Sequence, residues 1–337
     1  MGDALKAFLE GATLQEEGAR ELFGALVRGE LNDIEITALL VALKTRGETP
    51  DVLTGAASAL RAAAVPFPRP SYEYADPCGT GGDGRGTVNI STAVAVVAAE
   101  LGLRVAKHGN RSVSSQCGSA DVLEAVGVAV EMAPVASRRV LDEAGICFLF
   151  APQYHGGLRA AMNVRRTLKT RTIFNLLGPL LNPAAPPYQV VGVYDERWCR
   201  PMAETLARLG CRGALVVHGS GVDEIALHGP TQCVCWREER LQEMTLRPSE
   251  VGLEEAPLEA LSGGSPADNA RWLLGLLGGQ GASVHRQAVA FNTGALLWLS
   301  GRADSIRDGV QMGMEVLSRR RGLDRLERWR EATRGAV

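Results

Sequence analysis

The sequence predicts an α/β protein with a small N-terminal helical domain and a larger α/β domain, whose mostly parallel central sheet is flanked by helices. Three observations carry that expectation. Segment 1–66 holds only the helical spacing of apolar side chains. Pro66, Pro68 and Pro70 then interrupt the chain, and alternate prolines favour a stiff, extended connection. Beyond them, short β-prone runs alternate with helical stretches, as strands joined by crossover helices do. The expected division is 1–66 and 71–337, with helical segments inside 156–185 returning to the small domain. The chain of 337 residues is long enough to bury such a core.

The elements follow in order. Thr13-Leu14-Gln15-Glu16 has the form of a capping box, followed by apolar Leu22, Phe23 and Leu26 at helical spacing. Asn32-Asp33-Ile34-Glu35 opens another helix, with Ile36, Leu39, Leu40 and Leu43 as its buried stripe. Thr49-Pro50 places a capping hydroxyl before a proline at the first helical position, and an alanine-rich stretch runs to Ala64. After the prolines, strands are expected at Glu73–Cys78, Arg104–Ala106, Ile146–Phe150, Val190–Tyr194 and Ala214–Val217. Ala160–Leu168 reads as a helix whose arginines point back toward the small domain. Cys233 and Cys235 fall on one face of a strand-like run.

Composition excludes several classes. Net charge is −2, without the basic excess that phosphate neutralisation demands of a nucleic-acid binder. No apolar run is long enough to span a membrane. The N-terminus lacks the pattern of a signal peptide and the hydroxyl of a myristoylation motif. The seven cysteines are scattered, and Cys233 and Cys235 stand too close together for a zinc pair. Free thiols of a reducing cytoplasm are the expectation.

The densest chemistry lies at Asp76-Pro77-Cys78-Gly79-Thr80-Gly81-Gly82-Asp83-Gly84-Arg85-Gly86. Glycines let a backbone approach an anion closely and turn its amides toward it. Asn89-Ile90-Ser91-Thr92 follows, where a helix begins, so Ser91 and Thr92 stand at a helix N-terminus that favours phosphate. The stretch 79–84 satisfies the dinucleotide pattern G-x-G-x-x-G, yet polar loop continues where a Rossmann helix should already have begun. The Gly-Lys-Ser/Thr of a P-loop is absent. A second loop, Lys107 to Ser115, carries two cations, a histidine, an amide and three hydroxyls after a strand. In a parallel sheet, such loops line the ligand crevice. Ser119 is expected to cap a further helix.

These segments, together with Gly118-Ser119-Ala120-Asp121, Arg171–Leu180, Asn182-Pro183 and Asp223-Glu224, resemble the signature stretches of the anthranilate phosphoribosyltransferase family over nearly the whole chain. The resemblance implies transfer of the phosphoribosyl group of phosphoribosyl pyrophosphate (PRPP) to the amine of anthranilate, in tryptophan biosynthesis, with pyrophosphate released. It implies that Gly79, Gly82, Asp83, Thr87, Asn89, Ile90, Ser91 and Thr92 hold PRPP. Lys107, His108, Gly109, Asn110, Arg111, Ser112, Val113, Ser114, Ser115 and Ser119 would complete the cradle. Gly79, Asn110 and Arg165 would meet anthranilate. Ser91, Asp223 and Glu224 would hold Mg²⁺, two ions in all, and the chain would be a cytoplasmic homodimer joined through its helical domain. The planar fork of Arg165 suits a carboxylate, and adjacent acids suit a hard cation. No covalent or general-base residue is assigned, and His155 reads as structural.

The chain departs from the family pattern at Gly156-Gly157-Leu158-Arg159, Ala160-Ala161-Met162-Asn163 and Lys169-Thr170. These positions lie on the acceptor side, so a different aromatic acceptor is the alternative. A related nucleoside phosphorylase would carry a different lysine loop. A non-catalytic nucleic-acid-binding homologue would have lost the glycine loop and gained basic residues.

Overall fold

The structure, a computed structural model, describes residues 3–112 and 116–336. Four helices open the chain: α1 (Asp3–Leu9), α2 (Glu16–Val27), α3 (Asp33–Arg46) and α4 (Pro50–Ala62). Asn32 Oδ1 accepts from the N–H groups of Ile34 and Glu35, each at 3.0 Å, and the Glu35 carboxylate accepts from Asn32 N–H. Those bonds satisfy donors that the first turn of α3 leaves free. Thr49 Oγ1 accepts from Val52 N–H at 3.3 Å ahead of Pro50. The Thr13–Glu16 capping box does not form. Gln15 occupies the N-cap of α2 without a side-chain bond, which places Glu16 first in the helix rather than third. Leu14 and Ala19 are both buried, at the positions of a hydrophobic staple, and that packing sets where the helix begins.

The chain then runs through β1 (Tyr74–Gly79), α5 (Ile90–Glu100), β2 (Arg104–Gly109), α6 (Ser119–Ala125), α7 (Pro134–Ala144), β3 (Ile146–Phe150), α8 (Ala151–Tyr154), α9 (Arg159–Leu168) and α10 (Phe174–Leu177). It continues through β4 (Tyr188–Gly192), α11 (Cys199–Arg208), β5 (Gly213–Gly219), β6 (Thr231–Arg237) and β7 (Arg240–Leu246). Four helices end it: α12 (Pro266–Leu277), α13 (Ser283–Leu299), α14 (Ile306–Ser318) and α15 (Arg321–Arg334). The seven strands form one sheet in the order β3-β2-β1-β4-β5-β6-β7. The first five in that order run parallel, and β6 and β7 are antiparallel additions at one edge.

The strand expectations need correction at β4, which runs Tyr188–Gly192 rather than Val190–Tyr194, at β2, and at β7. β2 does not stop at Ala106: Lys107, His108 and Gly109 pair in register with Phe148, Leu149 and Phe150. Their polar character disguises a strand end in which Lys107 and His108 are buried. β7 has no counterpart among the expected strands, because it is an edge strand with mostly exposed side chains and no apolar run to announce it. Cys233 and Cys235 do share a buried face, and all seven cysteines are free.

Alternation along the strands separates two faces. Val190, Leu215, Val217, Cys233 and Cys235 join the core that also holds α5, α13 and α14. Val191, Val193, Ala214, Val216 and Val234 join the core made by α11 and the N-terminal helices. Ala161, Val164, Ile173 and Phe174 belong to that second core, so the segment around α9 and α10 is packed with the helices of the chain's start. Among the described residues, no helix is long and apolar enough to cross a membrane.

Candidate functional site

In strand order, the chain turns from β1 to one side and places β4 on the other. Ligand crevices in parallel sheets form where strand order reverses in this way, at the carboxyl ends. Here β1, β4 and β5 end in Gly79, Gly192 and Gly219. A Cβ at these positions would stand 2.4 Å from Asp223 Oδ2, 1.5 Å from Asp223 O and 2.2 Å from Glu224 O, respectively. Bare strand ends therefore let the 223–224 segment fold across the top of the sheet and press two acids into the crevice.

The resulting cleft holds about 420 Å³. One wall is the glycine loop, where Gly81, Gly82, Gly84 and Gly86 all adopt left-handed backbone conformations closed to most side chains. The loop is tied from several directions. Gly81 N–H donates to Asp223 Oδ2 at 2.7 Å, and Arg85 N–H to Asp83 Oδ1 at 3.1 Å. Gly263 N–H donates to Gly86 O at 2.7 Å, and Val88 N–H to Leu261 O at 2.9 Å. The guanidinium of Arg171 donates to Gly82 O and lies 4.3 Å from the centre of the Tyr194 ring. Asn89, Ile90 and Ser91 then bring the N-terminus of α5 to the cleft. Thr92 turns inward: it is fully buried, and its hydroxyl has no partner among the described residues.

Acids and one lysine meet at the floor. Lys107 is 2% exposed, with Nζ donating to Pro77 O at 2.7 Å and Ser91 Oγ at 3.2 Å. Burial raises the Asp223 carboxyl above the usual range, repulsion from Asp83 adds to this, and the Gly81 N–H opposes it. Glu224 is pushed up to about 8, by burial first and by Asp223 second, with Lys107 pulling the other way. One lysine thus faces more negative charge than it balances, a setting that favours a cation. Among the described residues, no three His, Cys, Asp or Glu side chains form a metal site on their own. Mg²⁺ fits that donor set, because it commonly takes one or two carboxylates and completes its shell with water and substrate phosphate.

The opposite wall runs from Lys107 to Ser119. Asn110 and Ser112 line the cleft. Arg111 also lines it, while its guanidinium is held by Glu124 at 2.6 Å and Glu131 at 2.9 Å over the Phe150 ring. Val113, Ser114 and Ser115 lie outside the described residues. Ser119 does not cap α6. It is the first helical residue, and the Asp121 carboxylate accepts from Gly118 N–H at 2.7 Å and Ser112 N–H at 3.0 Å instead. Asp121 thereby ties the lysine loop to the helix.

The third side comes from α9 and α10. Arg165 lies 5.0 Å from the centre of the Phe174 ring and has no acidic partner among the described residues, with burial lowering its pKa. Arg159 and Arg166 are exposed outside the cleft. A Cβ at Gly157 would stand 3.0 Å from Val27 Cβ, so the departure there serves packing on α2. His108 and His155 are buried edge to face, their ring centres 5.5 Å apart. Burial, followed by His155, pushes His108 down to about 3. His155 Nε2 bonds Leu181 O at 2.8 Å.

The structure thus gathers Asp83, Asn89, Lys107, Arg165, Asp223 and Glu224 around one cleft. Sequence reasoning missed Asn269 on α12, whose Nδ2 donates to Asn89 Oδ1 at 2.8 Å while its Oδ1 accepts from Gly264 N–H at 3.0 Å. It arrives from far along the chain with no local motif. Phe174 and Asn175, within the quoted stretch 171–180, also line the cleft.

Nearly the whole chain is similar to known proteins. Residues 71–321 match the α/β domain of the family described as glycosyl transferase, and residues 2–64 match its helical bundle domain. An anthranilate phosphoribosyltransferase of Sorangium cellulosum is 57% identical over 98% of this chain and 94% of its own. The Thermus thermophilus enzyme of that name superposes with a TM-score of 0.94 at 44% identity, covering 99% of this chain and all of its own. The Saccharomyces cerevisiae enzyme, solved in complex with PRPP and Mg, gives a TM-score of 0.90 at 25% identity over 98% of this chain and 97% of its own.

Proposed function

The chain belongs to the anthranilate phosphoribosyltransferases of the glycosyl transferase family, and from that premise we propose how its cleft divides the work. The reaction transfers the phosphoribosyl group of PRPP to the amine of anthranilate and releases pyrophosphate, in tryptophan biosynthesis. The observation that carries the proposal is the Asp223–Glu224 segment crossing three glycine strand ends between the glycine loop and Lys107.

PRPP is placed between Gly79, Gly82, Asp83, Thr87, Asn89, Ile90 and Ser91 on one wall and Lys107–Ser112 with Ser119 on the other. Left-handed glycines and the start of α5 supply N–H groups suited to phosphate. Thr92 belongs to the first wall through the backbone of the first turn of α5, its side chain being buried. Ser91, Asp223 and Glu224 would hold two Mg²⁺ ions. When bound, Mg²⁺ would neutralise the negative charge of the pyrophosphate.

Arg165 is placed on the anthranilate carboxylate, with Asn110 and the Gly79 backbone beside it. The support is a guanidinium in the cleft without an acidic partner among the described residues, whereas that of Arg111 is already engaged. The aromatic amine is neutral near pH 7 and needs no base. His108 is too weakly basic to serve as one. What remains is positioning, with cationic character developing on the ribose as the bond to pyrophosphate breaks.

Division of the chain at 66–71 follows the proline linker. Homodimerisation through the helical part is supported by Ile34 and Val41, which are 81% and 41% exposed one heptad apart on α3. Seven free thiols suit the cytoplasm.

Loss of anthranilate fluorescence on mixing with PRPP and Mg²⁺ tests the reaction, and no loss at micromolar enzyme would refute it. Replacing Asp223 and Glu224 together by Ala should leave a folded protein with turnover reduced about 100-fold or more. Near-normal turnover would remove both acids from the site.

A further inference from the structure

We propose that Arg171 is a positioning residue for the donor loop, and that Lys44 on α3 holds Arg171 in place. A loop with four left-handed glycines has much conformational freedom to lose on ordering, so its working shape depends on external ties. Gly82 is one of the four, with φ at 77°, and its carbonyl accepts from the Arg171 guanidinium. That guanidinium stacks on Tyr194, whose own N–H donates to Thr80 Oγ1 at 3.1 Å, so the planar group is held between two points of the same loop. Lys44 Nζ donates to Arg171 O at 2.9 Å and Thr170 Oγ1 at 2.5 Å. A continuous line of polar contacts therefore runs from a helix of the N-terminal bundle to the glycine loop.

The same strap carries Arg165 on α9. Between the two arginines, Lys169 ends α9 with φ at 45°, a left-handed position that residues with a side chain seldom adopt. Little slack is left, so the helix end that places the acceptor-side guanidinium also places the tether of the donor loop. Arg171 acts through Gly82 rather than by touching substrate. This role rests on the assignment of PRPP to the glycine loop.

The test compares Arg171→Met, Arg171→Lys and Lys44→Met with the full-length wild type. Loss of a charged hydrogen bond at the loop should raise the KM for PRPP about tenfold in Arg171→Met. The anthranilate KM and kcat should stay within about twofold. Arg171→Lys should recover part of the loss, and Lys44→Met should shift the PRPP KM in the same direction by less. Without substrates, hydrogen exchange of the amides of 81–86 should accelerate in both Met variants at unchanged melting temperature. That readout needs no turnover, so a wild type that fails to consume PRPP would sink the functional reading and leave the tether standing. Unchanged PRPP KM and loop protection in both Met variants would overturn the proposal, as would an equal rise in both KM values.

Discussion

At the scale of single residues, burial decides what the titratable groups can do. Asp76 is fully buried, and its Oδ2 accepts from the backbone N–H of His108 at 3.4 Å and from Asn182 Nδ2 at 2.8 Å. The folded imidazole of His108 sits at about 3, against an ordinary 6.5. Between those values the unfolded chain binds more protons, so this contribution is complete above pH 6.5 and is lost as pH falls toward 3. Asp76 is raised to about 6 by burial, with Lys107 opposing, so its contribution runs the other way and weakens as pH rises from about 4 through 6. His108→Gln should remove the acid-side loss, about 2 kcal/mol at pH 5. Its melting temperature should therefore fall less between pH 7 and pH 5 than the wild type's, by roughly 4 °C. Parallel melting profiles would show that His108 titrates normally.

At the scale of elements, close backbone approaches matter more than propensity. α2 and α4 cross at Gly55, where a Cβ would stand 2.2 Å from Glu16 O. α13 and α14 meet at Gly294 and Gly309, with a Cβ on Gly309 only 2.7 Å from the Gly294 backbone. Strand β4 follows the same rule at Gly192, 1.5 Å from Asp223 O. Gly192→Ala should push the 223–224 segment away, costing about 2 kcal/mol of stability and roughly 100-fold or more in turnover. A variant with wild-type turnover would mean that the segment can shift without consequence. Of the helix starts, those at Asn32 and Thr49 were legible because a side-chain cap declares itself locally. The start at Glu16 was not, because packing of Leu14 sets it.

At the scale of the whole molecule, one sheet with a helical bundle on one face gathers residues from positions 79 to 269 into one cleft. Ligand binding should therefore stabilise the fold as a unit. PRPP with Mg²⁺ at about 100 times its dissociation constant should add about 2.7 kcal/mol, a rise of roughly 5 °C or more in melting temperature. The double Asp223, Glu224→Ala variant should lose most of that rise. An equal rise without Mg²⁺, or in the variant, would separate PRPP binding from the acids.

By itself, the sequence determined the helical start, the alternation of strands and helices, and the place of the glycine and lysine loops. Periodicity, caps and glycine runs are local, and the long motifs at 79–83, 89–92 and 107–112 are specific. Tertiary structure alone decided that Lys107 lies within a strand, that Arg111 is taken up by Glu124 and Glu131, that Thr92 faces inward, and that Asn269 and Arg171 reach the loops. The physical reason is that direction and partnership belong to the packed chain: a residue type states what a side chain can bond, and only the fold settles which partner arrives first.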